Sequence, residues 1–154
     1  MSTRSNIGIQ NEDGSVEMVY CHWDGYLSNN GAILRKHYLT ESKIRKLIAG
    51  GDMSSLEDMP SKIDYYGQRS KWTKYGPAGS EQDEPWEQVK PQKYSHPVDI
   101  RYMLKDSCTQ YIYIFDSVKD KWRWDYTGNF TTVDKMRLLT KKQVGRDFDE
   151  GSLK

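Results

Sequence analysis

Three groups of residues in this chain have types and spacings that could do chemistry. The first is Cys21-His22-Trp23-Asp24. A thiol, an imidazole and a carboxylate in one tetrapeptide invite a nucleophile–base reading, that of a small hydrolase using Cys21. Strand geometry resists it. Neighbours on a strand point to opposite faces, so Cys21 and His22 do not readily share a proton, and a buried structural thiol is the favoured reading. His37 and His96 are the histidines that folding could still bring to Cys21. The second group is Ser2, which removal of Met1 would expose as an N-terminal nucleophile. No oxyanion-donor signature accompanies it, and ordinary processing is favoured.

The third group mixes charge with aromatics. Arg69, Lys71 and Lys74 interleave with Trp72 and Tyr75, and Trp86 follows. Basic residues among aromatics suit stacking on nucleobases with phosphate contacts. Trp, Tyr and Arg also dominate protein-binding hot spots. These six residues are the candidate binding set, against the plainer reading of a solvated face beside core aromatics. The chain holds no GxxxxGK[ST] and no GxGxxG, so no standard phosphate loop is expected. The two cysteines and three histidines fall at no metal-finger spacing. No catalytic residue, metal or cofactor is expected, and both cysteines are expected as free thiols.

The elements that must position these groups are those of one domain of 154 residues, over which Lys plus Arg total 23 and Asp plus Glu 22. Leu, Ile, Val and Phe number 28, under a fifth of the chain, which alone would suggest disorder. A net charge of +1 removes half of that argument, and 5 Trp with 11 Tyr supply the missing apolar area. No apolar run approaches the roughly 18–20 residues a membrane span needs. The opening residues lead into no hydrophobic stretch, so no signal peptide is expected. Charge is uneven: 1–30 and 77–92 are net acidic, 31–76 and 93–146 net basic. A pI of about 7.7 disfavours bulk nucleic acid as the partner.

Ile7 and Ile9 alternate, Asp13-Gly14 signals a tight turn, and Val16 to Trp23 alternates again, which predicts an N-terminal hairpin. Ser28 or Asn29 could cap a short helix from Ala32 to Tyr38. Thr40 is a good N-cap for a helix to Gly50 with Ile44, Leu47 and Ile48 on one face, and Ser54 to Met59 could add a turn. All 5 prolines fall between Pro60 and Pro97, so residues 60–97 read as an irregular aromatic-rich insertion, with a strand over Arg69 to Tyr75 and an unpacked piece over Gly76 to Glu87. Val98 to Lys105 reads as a short helix. Tyr111 to Tyr126 reads as a second hairpin with Trp122, Trp124 and Tyr126 on the core face, and Lys121, Arg123 and Asp125 opposite. Thr132 could cap a last helix through Leu139, and the chain should fray from about 145. The expected fold is α+β: one antiparallel sheet from the N-terminal hairpin and the C-terminal strands, with helices packed on one face.

Residues Ser2 to Ile9, Gly14-Ser15-Val16 and Tyr20-Cys21-His22-Trp23-Asp24-Gly25-Tyr26 resemble a family of small bacteriophage and mobile-element proteins, with Gly31, Leu34, His37 and Tyr38 continuing the pattern. Gly51-Asp52-Met53-Ser54-Ser55-Leu56 and, more loosely, Tyr111 to Tyr126 extend it, whereas Ser61 to Pro97 does not match. The family carries no established activity. The resemblance implies a phage setting in the host bacterial cytoplasm, and no site residue is carried over from it. The favoured function is a phage accessory protein that binds and inhibits a host or anti-phage defence protein. Sequestration of a nucleotide signal and a hydrolase using Cys21 are the alternatives, and a homo-oligomer is compatible with all three.

Overall fold

A computed structural model of the chain describes residues 3–71, 82–95, 100 and 108–145, the side chains of 70 and 71 excepted. The N-terminal hairpin pairs β1 (Ser5–Gln10) with β2 (Val16–Cys21), in register Ile7 to Val19. Its turn closes because the Asp13 carboxylate accepts from the Ser15 amide at 3.0 Å and the Ser15 hydroxyl at 2.6 Å, while Gly14 takes φ +88°. A five-residue π-helical turn (Leu27–Gly31) leads into α1 (Ala32–His37). Next comes α2 (Glu41–Ala49), whose N-terminus is capped as the sequence requires: the Thr40 hydroxyl accepts from the Lys43 amide at 3.3 Å. Then follow α3 (Trp86–Val89), β3 (Gln92–Tyr94), β4 (Tyr111–Asp116), β5 (Lys121–Tyr126) and β6 (Arg137–Leu138).

The six strands form one sheet in the order β3-β2-β1-β4-β5-β6, and the fold is α+β. The sheet is mixed rather than purely antiparallel: β1 and β4 run parallel, joining the two hairpins through Ile7 and Tyr113. Both faces are covered, not one. On the first face Ile7, Ile9, Val19, Tyr113, Phe115, Trp122 and Trp124 pack with Leu34, Tyr38, Ile44, Leu47 and Ile48 of the α1 and α2 region. On the second, Val16, Met18, Ile112 and Ile114 pack with Ile100, Phe130, Val133 and Met136. The Trp face of β5 is therefore core, with Trp124 1% exposed, although Tyr126 at its end is 40% exposed.

The opposite face of β5 is buried too. Arg123 Nε lies 3.0 Å from Asp116 Oδ2 and its Nη1 donates to the Met136 carbonyl at 3.1 Å, so this charge is matched inside the second core.

Several expected elements differ. Ser54 to Met59 forms no helix. Val133–Lys135 is a 3-10 turn feeding the short strand β6, because Met136 must turn inward to the second core. The expected strand from Arg69 begins instead as 3-10 turns over Tyr66–Lys71. Within the irregular insertion, Trp86 and Glu87 of the piece expected to stay unpacked form α3. The expected helix after Val98 lies outside the described residues except for Ile100, as does the tail from 146. No helix among the described residues is long and apolar enough to cross a membrane.

Candidate functional site

The tetrapeptide at the end of β2 is assembled as structure. Cys21 is fully buried, and its sulfur receives the Asn30 Nδ2 donor at 3.5 Å and faces the Trp23 carbonyl at 3.7 Å. Burial pushes its thiol up to about 11, with the Asn30 and backbone contacts opposing only part of that shift. His22 is turned elsewhere: its Nδ1 and the Tyr20 hydroxyl share a hydrogen bond of 2.7 Å. None of the sulfur's partners, Asn30, Ser5 and the Trp23 and Leu56 backbone, is a base. Asp24 takes φ 55°, and Gly25 sits against β1, where a Cβ would come within 2.8 Å of both Ser5 Cβ and the Thr3 carbonyl. The Gly25 carbonyl accepts from the buried Tyr113 hydroxyl at 2.6 Å. Tyr20 to Tyr26 thus locks the end of β2 onto β1 and β4.

What this turn carries on its outside is different. Strand β3 covers the edge of β2 only as far as Met18, and beyond it the Met53 segment takes over, bridging to Cys21. Asp52 sits at this change of partner. Its carboxylate accepts from the Tyr20 amide at 2.9 Å, its amide donates to the Val89 carbonyl at 2.8 Å and its carbonyl accepts from the Tyr66 amide at 3.1 Å. Burial raises the Asp52 carboxyl to about 6; the Tyr20 amide opposes the shift and the Glu84 charge adds to it. The hydroxyls of Tyr20, Tyr66 and Tyr94 are all raised, in each case first by burial.

Around Asp52 the side chains form an aromatic surface. Trp86 is 44% exposed and lies across two glycines: a Cβ on Gly67 would meet its Cε3 at 3.1 Å, and one on Gly51 its Cζ3 at 3.1 Å. Gly51 also has φ +85°, so two constraints exclude a side chain there. Arg69 stacks over the Tyr66 ring, 4.7 Å to its centroid, and is forked onto Asp64 at 3.1 and 2.9 Å. The Asp64 carbonyl accepts from the Ser54 amide, and the Ser54 carbonyl from that of Trp23. Trp23, 46% exposed, meets the His22 ring edge-on at 4.6 Å.

Of the residues singled out in the sequence, the structure brings Arg69 and Trp86 to this one surface through the Tyr66–Gly67 turn. The side chain of Lys71, and Trp72, Lys74 and Tyr75 entirely, lie outside the described residues. Sequence reasoning missed Asp52, Tyr20 and Tyr66 as site residues, and named Trp23 only within the Cys21 tetrapeptide. The Gly50-Gly51-Asp52 stop after α2 was the available signal for a carboxylate held near a helix end. Among the described residues no three His, Cys, Asp or Glu side chains are placed to hold a metal ion. Comparison with family models, curated proteins and solved structures finds no match to this chain.

Proposed function

We propose that this protein acts by stoichiometric binding, as a bacteriophage accessory protein that inhibits a host or anti-phage defence protein in the bacterial cytoplasm, and that the aromatic surface around Asp52 is its contact face. The phage setting rests on the sequence resemblance of Ser2 to Tyr38. The observation that carries the contact face is Trp86, a large indole left half in solvent on a bed of two glycines, beside the Arg69–Tyr66 stack. Trp, Tyr and Arg are the residues that contribute most binding energy at protein interfaces. Sequestration of a nucleotide is less well supported. Arg69 is already forked onto Asp64, and Asp52 and Glu84 add negative charge where a phosphate would have to sit. A hydrolase at Cys21 has no activated thiolate to use at neutral pH.

The test is affinity capture from a bacterial lysate with the wild-type chain and Trp86→Ala side by side, together with mass spectrometry of small molecules retained by the wild type. One protein captured in stoichiometric amount by the wild type and lost by Trp86→Ala is the expected result. A retained nucleotide with no captured protein would replace this reading with the nucleotide one.

A further inference from the structure

At the other edge of the sheet lies a second surface that the Asp52 region does not reach. The end of α1, the β4–β5 turn and β6 enclose a cleft of about 520 Å³, with Arg35, Asp120 and Lys121 among the residues that line it. That volume is within the range of ligand-binding clefts. Its floor is rigid: Tyr38, Phe115, Trp122 and Leu139 are buried, and the Trp122 indole donates to the Tyr38 carbonyl at 2.9 Å. One wall is aliphatic and open, Leu39 being 68% exposed, and Leu138, whose side chain shares the Arg123 face, edges the cleft with its backbone.

Two further properties define what fits. The rim is cationic. Arg35 and Lys121 are exposed and make no ion pair among the described residues, and Asp120 is the single acid of the lining. The sheet edge beside the cleft is also unpaired among the described residues. Leu138 faces Arg123, and the Leu139 amide donates to the Trp122 carbonyl one residue along. The Leu138–Arg123 pair is therefore of the kind that exchanges no bonds of its own, and the N–H and C=O of Leu138 point outward. A nucleic acid would need aromatic faces to stack on, and here the aromatics are the buried floor.

We propose that this cleft docks an acidic peptide segment of a partner protein, with an aliphatic side chain seated against Leu39 over the floor, its carboxylates on Arg35 and Lys121, and its backbone bonded to Leu138. Charge complementarity selects the acidic partner and the aliphatic Leu39 wall selects the anchor. The site is independent of the Trp86 surface, so either can fail without the other. The experiment is selection of a ribosome-displayed random peptide library on the purified full chain. Enriched peptides are then titrated against the wild type, Arg35→Glu/Lys121→Glu and Leu39→Asp, each checked by melting. The expected result is enrichment of Asp and Glu flanking Leu, Ile or Val, with binding about tenfold weaker in both variants. If the double variant melts early, Leu39→Asp alone decides. No enrichment, binding equal in the variants, or a single-stranded oligonucleotide that binds where no peptide does and is lost in the same variants would overturn the proposal.

Discussion

At the scale of single residues, Cys21 and Asp52 show how burial decides chemistry. The alternation of β2 made the separation of Cys21 from His22 legible in advance; the knot with Asn30 and Trp23 was not, because Asn30 returns through a π-helical turn that has no sequence signature. With the thiol pushed up to about 11 and fully buried, native protein near pH 8 should take up one equivalent of a thiol reagent, at the exposed Cys108, and denatured protein two. Intact-mass measurement checks this, and fast modification of Cys21 would reopen the enzyme reading. Cys21→Ser should cost about 1 kcal/mol of stability and leave binding intact. Asp52 gives a pH prediction. Its folded value, about 6, lies above the ordinary 3.8, so the native state binds the extra proton: its contribution favours folding at low pH and is lost as the pH rises through about 6. Asp52→Asn keeps an acceptor for the Tyr20 amide and removes the buried charge. It should be more stable than the wild type near neutral pH by about 1 kcal/mol, allowing for solvent screening, and the advantage should vanish below about pH 4. Melting curves of the two proteins across that range measure it. A constant difference would mean that Asp52 is solvated.

At the scale of elements, the signals that worked were local. Thr40 and the Ile44, Leu47, Ile48 spacing place α2 to within a residue, and strict alternation places both hairpins. The parallel join of β1 to β4 was not legible, because it unites strands from opposite ends of the chain with no turn between them to fix direction. Nor was the second core. Lys121, Arg123 and Asp125 read as a solvent face, and the Arg123–Asp116 pair with the bond to the Met136 carbonyl explains why Arg123 can be buried there. Two substitutions on β5 follow. Trp124→Ala should destabilise the fold by about 3–5 kcal/mol, as a large cavity does in a close-packed core. Arg123→Ala should also cost about 3–5 kcal/mol, because Asp116 would be left as a buried charge without its partner. Chemical denaturation distinguishes this from a one-sided sheet, in which Arg123→Ala would be nearly neutral.

At the scale of the whole molecule, the sheet is a spacer between two unlike surfaces. Its β3 edge carries the aromatic surface around Asp52, and its β6 edge carries the cationic cleft. The candidate site was half visible in the sequence: Arg69 and Trp86 stood out by residue type, whereas the elements that unite them are short turns held by backbone bonds such as that from the Glu84 amide to the Tyr66 carbonyl. Such pairings have no periodicity to read. The central claim is that Trp86 serves a partner more than it serves the fold. The most direct measurement takes one preparation of Trp86→Ala and determines both its melting and its stoichiometric capture of the lysate partner against the wild type. The prediction is a stability loss of only about 1 kcal/mol, because the indole is half in solvent, with capture reduced about tenfold or more. Undiminished capture, or a loss of fold on the scale of Trp124→Ala, would contradict it.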